Sequence, residues 1–327
     1  MKKNIIKSII LVAGMVFGQV SAQQLPMFSQ FMKNEFVLNP ALAGMDNEFA
    51  PLRIFARTQW SGLQYAPRTQ TLSYNNSFMD DKMGLGGYLL NDRFGPISKT
   101  GINGTYSYMI QTGKDGKLSF GLGAMFYRFH LNTDSLVWDS KGNTDPVLYS
   151  QNNNFKTYVP NASFGIMYRT EKFWAGLALP ELIPLKISSN DSNYVVQQRN
   201  HIFFNAGYRL MLAEEVFLEP SLFIKQVSGA PTQLDFNTNL RIKNSFNIGA
   251  SFRTGDAVAV MAGYNMKTGY VIGYSYDFII SGLSQYTGGN HEIMVGYNFA
   301  KKKAPKENTG DGPMEDQPLK DNSKEEK

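Results

Sequence analysis

The chain has 327 residues, no cysteine, 17 Tyr and 23 Phe, yet only 18% of its residues are charged. The missing cysteines exclude disulfides, thiolate metal sites, cysteine nucleophiles and a lipid anchor on Cys. The formal net charge of +5 does not point to nucleic acid. Much of the basic charge sits at the two ends (Lys2, Lys3, Lys7; Lys301, Lys302, Lys303), and no basic stripe interleaved with aromatics runs between them.

Residues 1–22 read as a signal peptide. Lys2, Lys3 and Lys7 form the charged region, Ile9 to Phe17 the apolar one, and Val20-Ser21-Ala22 the small-residue cleavage site before Gln23. The apolar run is too short to span a membrane as a helix, which takes roughly 20 apolar residues. No other long apolar run follows, so a mature helical membrane protein is excluded. Residues 23–50 precede the first strand. Phe28, Phe31 and Phe36 make this stretch too apolar to hang free. It is expected to pack inside the mouth of a barrel or against its periplasmic rim, as a plug or as a docking surface for a periplasmic partner. Asn39-Pro40 is a turn signal, and Gly44 lets the chain bend before the first strand.

From residue 51 to 300 one theme repeats: short segments of period two, separated by turn residues. Strands are predicted at 52–60, 68–76, 83–91, 99–111, 117–129, 159–170 and 172–180. They continue at 200–212, 216–226, 232–243, 245–254, 257–267, 269–280 and 290–300. In 270–278, Tyr270, Ile272, Tyr274, Tyr276 and Phe278 share one face; Val271, Gly273, Ser275 and Asp277 share the other. Residues 246–253 split in the same way, Phe246, Ile248, Ala250 and Phe252 against Asn247, Gly249, Ser251 and Arg253. A soluble sheet keeps Lys and Glu on its wet face and aliphatics within. Here the polar face carries Gly, Asn, Ser and Thr, and the apolar face Tyr and Phe. That inversion predicts an all-β fold, a transmembrane outer-membrane β-barrel of about 14 antiparallel strands with a polar lumen.

The connections divide into short ones (77–82, 112–116, 171, 213–215, 244, 268) and mostly longer ones (92–98, 130–158, 181–199, 281–289). Short turns facing the periplasm and long loops facing outward are what such barrels show. The closing strand ends on aromatic Phe299. Residues 301–327 carry almost no apolar side chain and are expected to be a disordered periplasmic tail.

Several motifs flank the barrel. Residues 26–45 read PMFSQFMKNEFVLNPALAGM, with Phe28-Ser29-Gln30, Asn39-Pro40 and Gly44. Arg57 and Gln59-Trp60-Ser61-Gly62 follow, then Ala66-Pro67-Arg68-Thr69. Near the end stand GYSYDF at 273–278 and His291-Glu292-Ile293-Met294. Together these resemble the PorP/SprF family of type IX secretion system membrane proteins of Bacteroidetes, over nearly the whole mature chain to about Phe299. The resemblance implies an outer-membrane barrel working with type IX secretion and gliding-motility components, periplasmic and outer-membrane. It further implies either a core secretion role or help in secretion and anchoring of a large surface adhesin. Phe28, Ser29, Gln30, Asn39, Pro40, Gly44, Arg57, Gln59, Trp60, Gly62, Pro67, His291 and Glu292 are the candidate partner-binding residues on that reading.

Physical chemistry adds specific expectations. Arg57, in a lumen, is a natural partner for Asp277 or Glu292. Trp60 suits the headgroup girdle. Asp134, Asp139 and Asp145 in the loop 130–158 do not follow calcium-loop spacing, and this loop is a candidate contact for an exported protein. His291-Glu292 is placed at the outer rim. The three histidines, His130, His201 and His291, show no metal spacing. No nucleophile elbow, phosphate loop or dinucleotide fingerprint occurs. The chain therefore reads as a non-enzyme without cofactor, metal or nucleic acid, in contact with membrane lipid. Two functions compete: a partner-binding protein of the secretion machinery, or a passive diffusion channel. Whether 23–50 fills the lumen discriminates between them.

Overall fold

The computed structural model describes residues 25, 27–46, 48–132, 154–184, 186–188, 194–197 and 199–301. The leader at 1–22, the tail beyond Lys301, and Asp134, Asp139 and Asp145 lie outside the described residues.

The wall is built from antiparallel strands taken in chain order. They are β1 (Phe49–Thr58), β2 (Arg68–Phe78), β3 (Met83–Phe94), β4 (Ile97–Thr112), β5 (Gly116–Asn132), β6 (Asn154–Arg169) and β7 (Phe173–Leu179). A small hairpin, β8 (Lys186–Ser188) and β9 (Tyr194–Gln197), stands outside the wall sheet. The wall resumes with β10 (His201–Tyr208), β11 (Leu210–Ala213), β12 (Val216–Val227), β13 (Gln233–Ile242), β14 (Phe246–Arg253), β15 (Ala257–Asn265), β16 (Tyr270–Ile279) and β17 (Asn290–Ala300). Both β10 and β11 pair with β12, so they are two halves of one wall strand interrupted at Arg209. That makes a closed barrel of fourteen strands, sealed where β1 pairs with β17 and where β10 joins β7 to β12.

Closure leaves no free sheet edge in the band where all fourteen strands pair, the condition for β-structure in hydrocarbon. The side chains sort as alternation requires. Leu72, Tyr74, Ile102, Tyr106, Leu122, Ile248, Phe252, Ile272 and Val295 are exposed on the outside. Thr71, Ser73, Asn103, Thr105, Ser107, Asn237, Asn239, Asn247, Ser251 and Ser275 are buried within. Aromatic pairs cluster near strand ends: Tyr74–Phe299 (6.1 Å), Tyr270–Tyr297 (5.0 Å) and Phe246–Tyr264 (4.8 Å) at one end, Phe126–Tyr158 (5.7 Å) toward the other. The first end carries the short turns and both ends of the wall, Phe49 and Ala300. In this class it faces the periplasm.

The first strand is shifted from its expected place. It begins at Phe49, takes in Pro51, and stops at Thr58 instead of running through Trp60. Trp60 adopts a positive φ of 53° and ends the alternation.

The interior is occupied. The segment that precedes β1 descends from the long-loop end of the lumen to its short-turn end, with a 3-10 turn (Phe31–Lys33), a one-turn helix α1 (Glu35–Leu38) and a second 3-10 turn (Pro40–Leu42). Its apolar residues feed two clusters with the wall. Phe28, Phe31 and Leu38 meet Phe55, Phe203, Phe223 and Met294; Phe36, Ala41, Leu42 and Met45 meet Tyr88, Met109, Met125 and Met167. The seat is made of wall glycines. A Cβ on Gly121 would lie 2.2 Å from the backbone of Pro40 and Ala41, and one on Gly84 would lie 2.0 Å from the Ala43 carbonyl. The plug backbone therefore touches the wall backbone directly.

Candidate functional site

The Ser29–Gln30 bend of the plug sits on a buried ionic cluster. Arg57 leaves β1 toward the lumen and donates from Nη2 to Asp277 at 2.6 Å and from Nη1 to Glu292 at 3.1 Å. The same Nη1 donates to the Ser29 hydroxyl at 3.0 Å, and that hydroxyl donates to Asp277 at 2.7 Å. The two oxygens of Glu292 accept the backbone amides of Ser29 (2.8 Å) and Gln30 (2.9 Å). Asn290 donates to Asp277 at 2.9 Å, and Arg253 stands 3.9 Å from it while pairing with Asp235 at 2.9 Å. Arg57 is 4% exposed; Asp277 and Glu292 are fully buried. Charges this deep are tolerable only because each is paired and hydrogen-bonded.

Lower in the lumen Asn39 plays the equivalent part without charge. Its side chain accepts from Ala41 N at 2.9 Å and donates toward the Ile166 (3.2 Å) and Leu177 (3.5 Å) carbonyls. Pro40 opens the second 3-10 turn against Gly121. Gly44, at φ 69°, turns the chain toward β1 and donates to Asn75 at 2.9 Å. At the rim Lys301 donates to Ser77 Oγ at 2.6 Å and to the Asp46 carbonyl, fastening the plug exit to the end of β17. Burial lowers the pKa of its ammonium from the ordinary value.

Above the plug, at the long-loop end, lies a cavity of about 460 Å³. Leu25 and Met27 form its floor, and Arg57, Gln59, Trp60, Pro67, Phe94, Lys99 and Glu181 stand among its lining residues. Lys99 pairs with Glu181 at 2.6 Å and lies 3.9 Å over the Tyr127 ring. Leu25 N donates to His201 Nε2 at 3.2 Å.

The predicted site residues thus divide. Phe28, Ser29, Gln30, Arg57 and Glu292 converge, and Asn39, Pro40 and Gly44 seat the lower plug. Gln59, Trp60 and Pro67 line the cavity. Gly62, at φ 93°, lies in the outer loop that bonds to Gly288 and Gly289 through Ser61. Two expectations are corrected. Trp60 borders the cavity and not the lipid girdle, because its left-handed backbone turns it off the strand. His291 and Glu292 form no joint site. They are neighbours on a strand, so His291 points outward to Tyr274 (2.7 Å) while Glu292 points into the lumen. Asn290, Arg253, Lys99 and Glu181 were not singled out from sequence. Arg253 and Asn290 sit at strand ends in the lumen register of Asp277, a signal available in the alternation; Glu181 lies in a loop and gave none. Among the described residues no group of three or more His, Asp or Glu is placed to hold a metal ion.

The family model described as Type IX secretion system membrane protein PorP/SprF matches residues 20–297. No curated protein matches the chain. Among solved structures, the toluene transporter TbuX of Ralstonia pickettii is 8% identical, with a TM-score of 0.50 over 82% of this chain and 93% of that one. The toluene transporter TodX of Pseudomonas putida is 11% identical, TM-score 0.45, over 86% and 95%. Outer membrane protein Omp33 of Acinetobacter baumannii is 8% identical, TM-score 0.42, over 78% and 99%. The likeness to TbuX is one of fold.

Proposed function

Because the chain belongs to the PorP/SprF family of type IX secretion system membrane proteins, we propose that this outer-membrane barrel serves secretion by binding and positioning partner proteins. The partners are periplasmic and outer-membrane components of the same machinery, with a large exported adhesin as the cargo it helps to secrete and anchor. One observation carries the reading against a diffusion channel. The lumen is filled by residues 27–46, which are packed on wall glycines and clamped by Arg57, Asp277 and Glu292. A porin needs a continuous polar path, and here phenylalanines and backbone stand in it. The leader at 1–22 delivers the chain across the inner membrane and is removed before Gln23. Of the motif residues, Phe28, Ser29, Gln30, Asn39, Pro40, Gly44, Arg57 and Glu292 act as the anchor of the plug, which leaves the loops and the rim for partners.

The experiment is recovery of the native protein from envelopes in mild detergent, with mass spectrometry of what accompanies it. Type IX components or a large surface adhesin are the expected companions. The barrel alone, conducting ions in planar bilayers, would overturn the reading in favour of a channel.

A further inference from the structure

The cavity above the plug carries many charges, and they cancel from within. Arg57 is held by Asp277 (2.6 Å) and Glu292 (3.1 Å), Arg253 by Asp235 (2.9 Å) and Asp256 (3.3 Å), and Lys99 by Glu181 (2.6 Å). Arg199, Lys225 and Asp92 complete the count among the described residues. Five cations thus stand among six acids, in the lining and directly behind it. His201 is taken up by the chain itself: Nε2 accepts the Leu25 amide at 3.2 Å, and Nδ1 donates to the Arg199 carbonyl at 2.9 Å. A charged ligand of either sign would meet repulsion as near as attraction.

What the lining leaves unmet is neutral hydrogen bonding. Trp60 Nε1 and Arg253 Nη2 are buried donors without an acceptor. Asp92 gives one carboxylate oxygen to Thr69 at 2.6 Å, and Glu181 gives one to Lys99; the second oxygen of each has no donor among the described residues. Gln59 and Gln233 add side-chain amides, which donate and accept. Buried polar groups are paired as a rule, so unmet donors beside unmet acceptors call for a ligand whose groups do both. A hydroxyl does, with one hydrogen to give and two lone pairs. The rest of the lining is flat and apolar. Trp60 and Phe94, both half-buried, border the same space. Their ring faces are negative and attract the weakly positive C–H groups of a saturated ring. The volume of about 460 Å³ falls within the roughly 300–1,000 Å³ of small-molecule sites.

We propose that the cavity at the long-loop end binds a neutral pyranose sugar, as a mono- or disaccharide unit. Trp60 and Phe94 are the stacking platforms, and Asp92, Glu181 and Arg253 bond the hydroxyls. A pyranose is the ligand class that joins a ring of C–H groups to hydroxyls that donate and accept, without net charge. The site is separate from the protein partners proposed above, and its test does not depend on them.

The full chain, folded in a detergent without a sugar headgroup, is titrated with methyl glucoside, methyl galactoside, methyl mannoside and maltose. Calorimetry and saturation-transfer NMR read the binding. At least one of these sugars is expected to saturate the protein with a Kd at or below about 1 mM. The uronate and amino-sugar congeners of the best binder are each expected to bind at least about fivefold more weakly. Trp60→Gly removes the platform, and Gly takes the φ of 53° without strain, so the barrel should fold as before. Binding should weaken at least about tenfold. Phe94→Ala gives a second reading of the platform. Tyr286→Ala, on an exposed loop residue outside the lining, is the control that binds as the parent does. Polysaccharide purified from the same envelope then names the source: displacement of the bound sugar assigns the site to a surface glycan, and no displacement assigns it to a free sugar. The proposal is overturned if none of the four sugars binds saturably, or if a charged congener binds more tightly than the neutral sugar. It is equally overturned if folded Trp60→Gly and Phe94→Ala proteins bind as the parent does.

Discussion

Arg57 and Glu292 are register partners across the seam where the first and last wall strands meet, and the carboxylate of this pair also holds the plug amides of Ser29 and Gln30. Barrel closure and plug seating are thereby coupled through one side chain. The plug lies between the ends of the chain's own wall, and the wall closes with the plug's bend inside it.

Removing the cation tests that coupling. Arg57→Ala leaves Asp277 and Glu292 buried without their main counter-charge, a situation that costs about 3–5 kcal/mol. The expected outcome is a folded-band midpoint in urea well below that of the parent, with a cysteine placed at Met32 becoming reactive before the barrel unfolds. An unchanged midpoint and a protected Met32→Cys would sink the coupling. The double change Arg57→Met with Glu292→Met still strands Asp277 beside Arg253, so it should recover only part of the loss.

Much of this architecture was legible in the sequence. The strands expected at 68–76, 216–226 and 290–300 match β2, β12 and β17 to within two residues, and the inverted faces follow from the Tyr and Phe against the Asn, Ser and Thr. Arg57 could be matched to Asp277 and Glu292 because lumen register and charge left few alternatives. What failed was local backbone. The positive φ at Trp60 has no sequence mark, since Trp is an unusual occupant of that region. The hairpin at 186–188 and 194–197 was read as loop, because it stands outside the repeating wall pattern. The plug's route was also hidden. That Gly84 and Gly121 are contact points for Ala43 and Pro40 depends on which chain lies opposite.

The glycine seat gives a second prediction. Gly121→Val puts side-chain atoms where the backbone of Pro40 and Ala41 now lies, at 2.2 Å from the new Cβ. The wall has no reason to change, because Gly121 remains within paired strands. The plug should shift, and steady conductance in planar bilayers should rise above the near-zero level expected of the parent. Gly104→Val is the control, since nothing lies within 4 Å of its added Cβ. Equal conductance in the two variants would show that the plug does not seal by this contact.

The lipid-facing band can be tested at Ile102, which is 57% exposed on the outside of β4. Arg at a mid-bilayer position on such a barrel costs about 2–4 kcal/mol. Ile102→Arg should therefore lower the folding free energy into vesicles by that amount, whereas Ile102→Leu should be close to neutral. A cost below about 1 kcal/mol would place Ile102 at an interface instead of in hydrocarbon.

The lower plug supplies the last test. Asn39 joins three backbone groups: it accepts from Ala41 N and donates to the carbonyls of Ile166 and Leu177 on two wall strands. Asn39→Ala removes the cap and leaves the Ala41 amide buried without its acceptor, a cost of about 1–3 kcal/mol. Asn39→Asp keeps the acceptor but loses both donors, and it brings a charge against two carbonyls. It should therefore be at least as damaging as Ala, although Asp is as good a cap as Asn on an open helix. Midpoints in urea, read together with proteolysis of the 31–46 region, decide the matter. If Asp proved as stable as the parent, the wall contacts of Asn39 would be idle, and capping alone would account for its place in the plug.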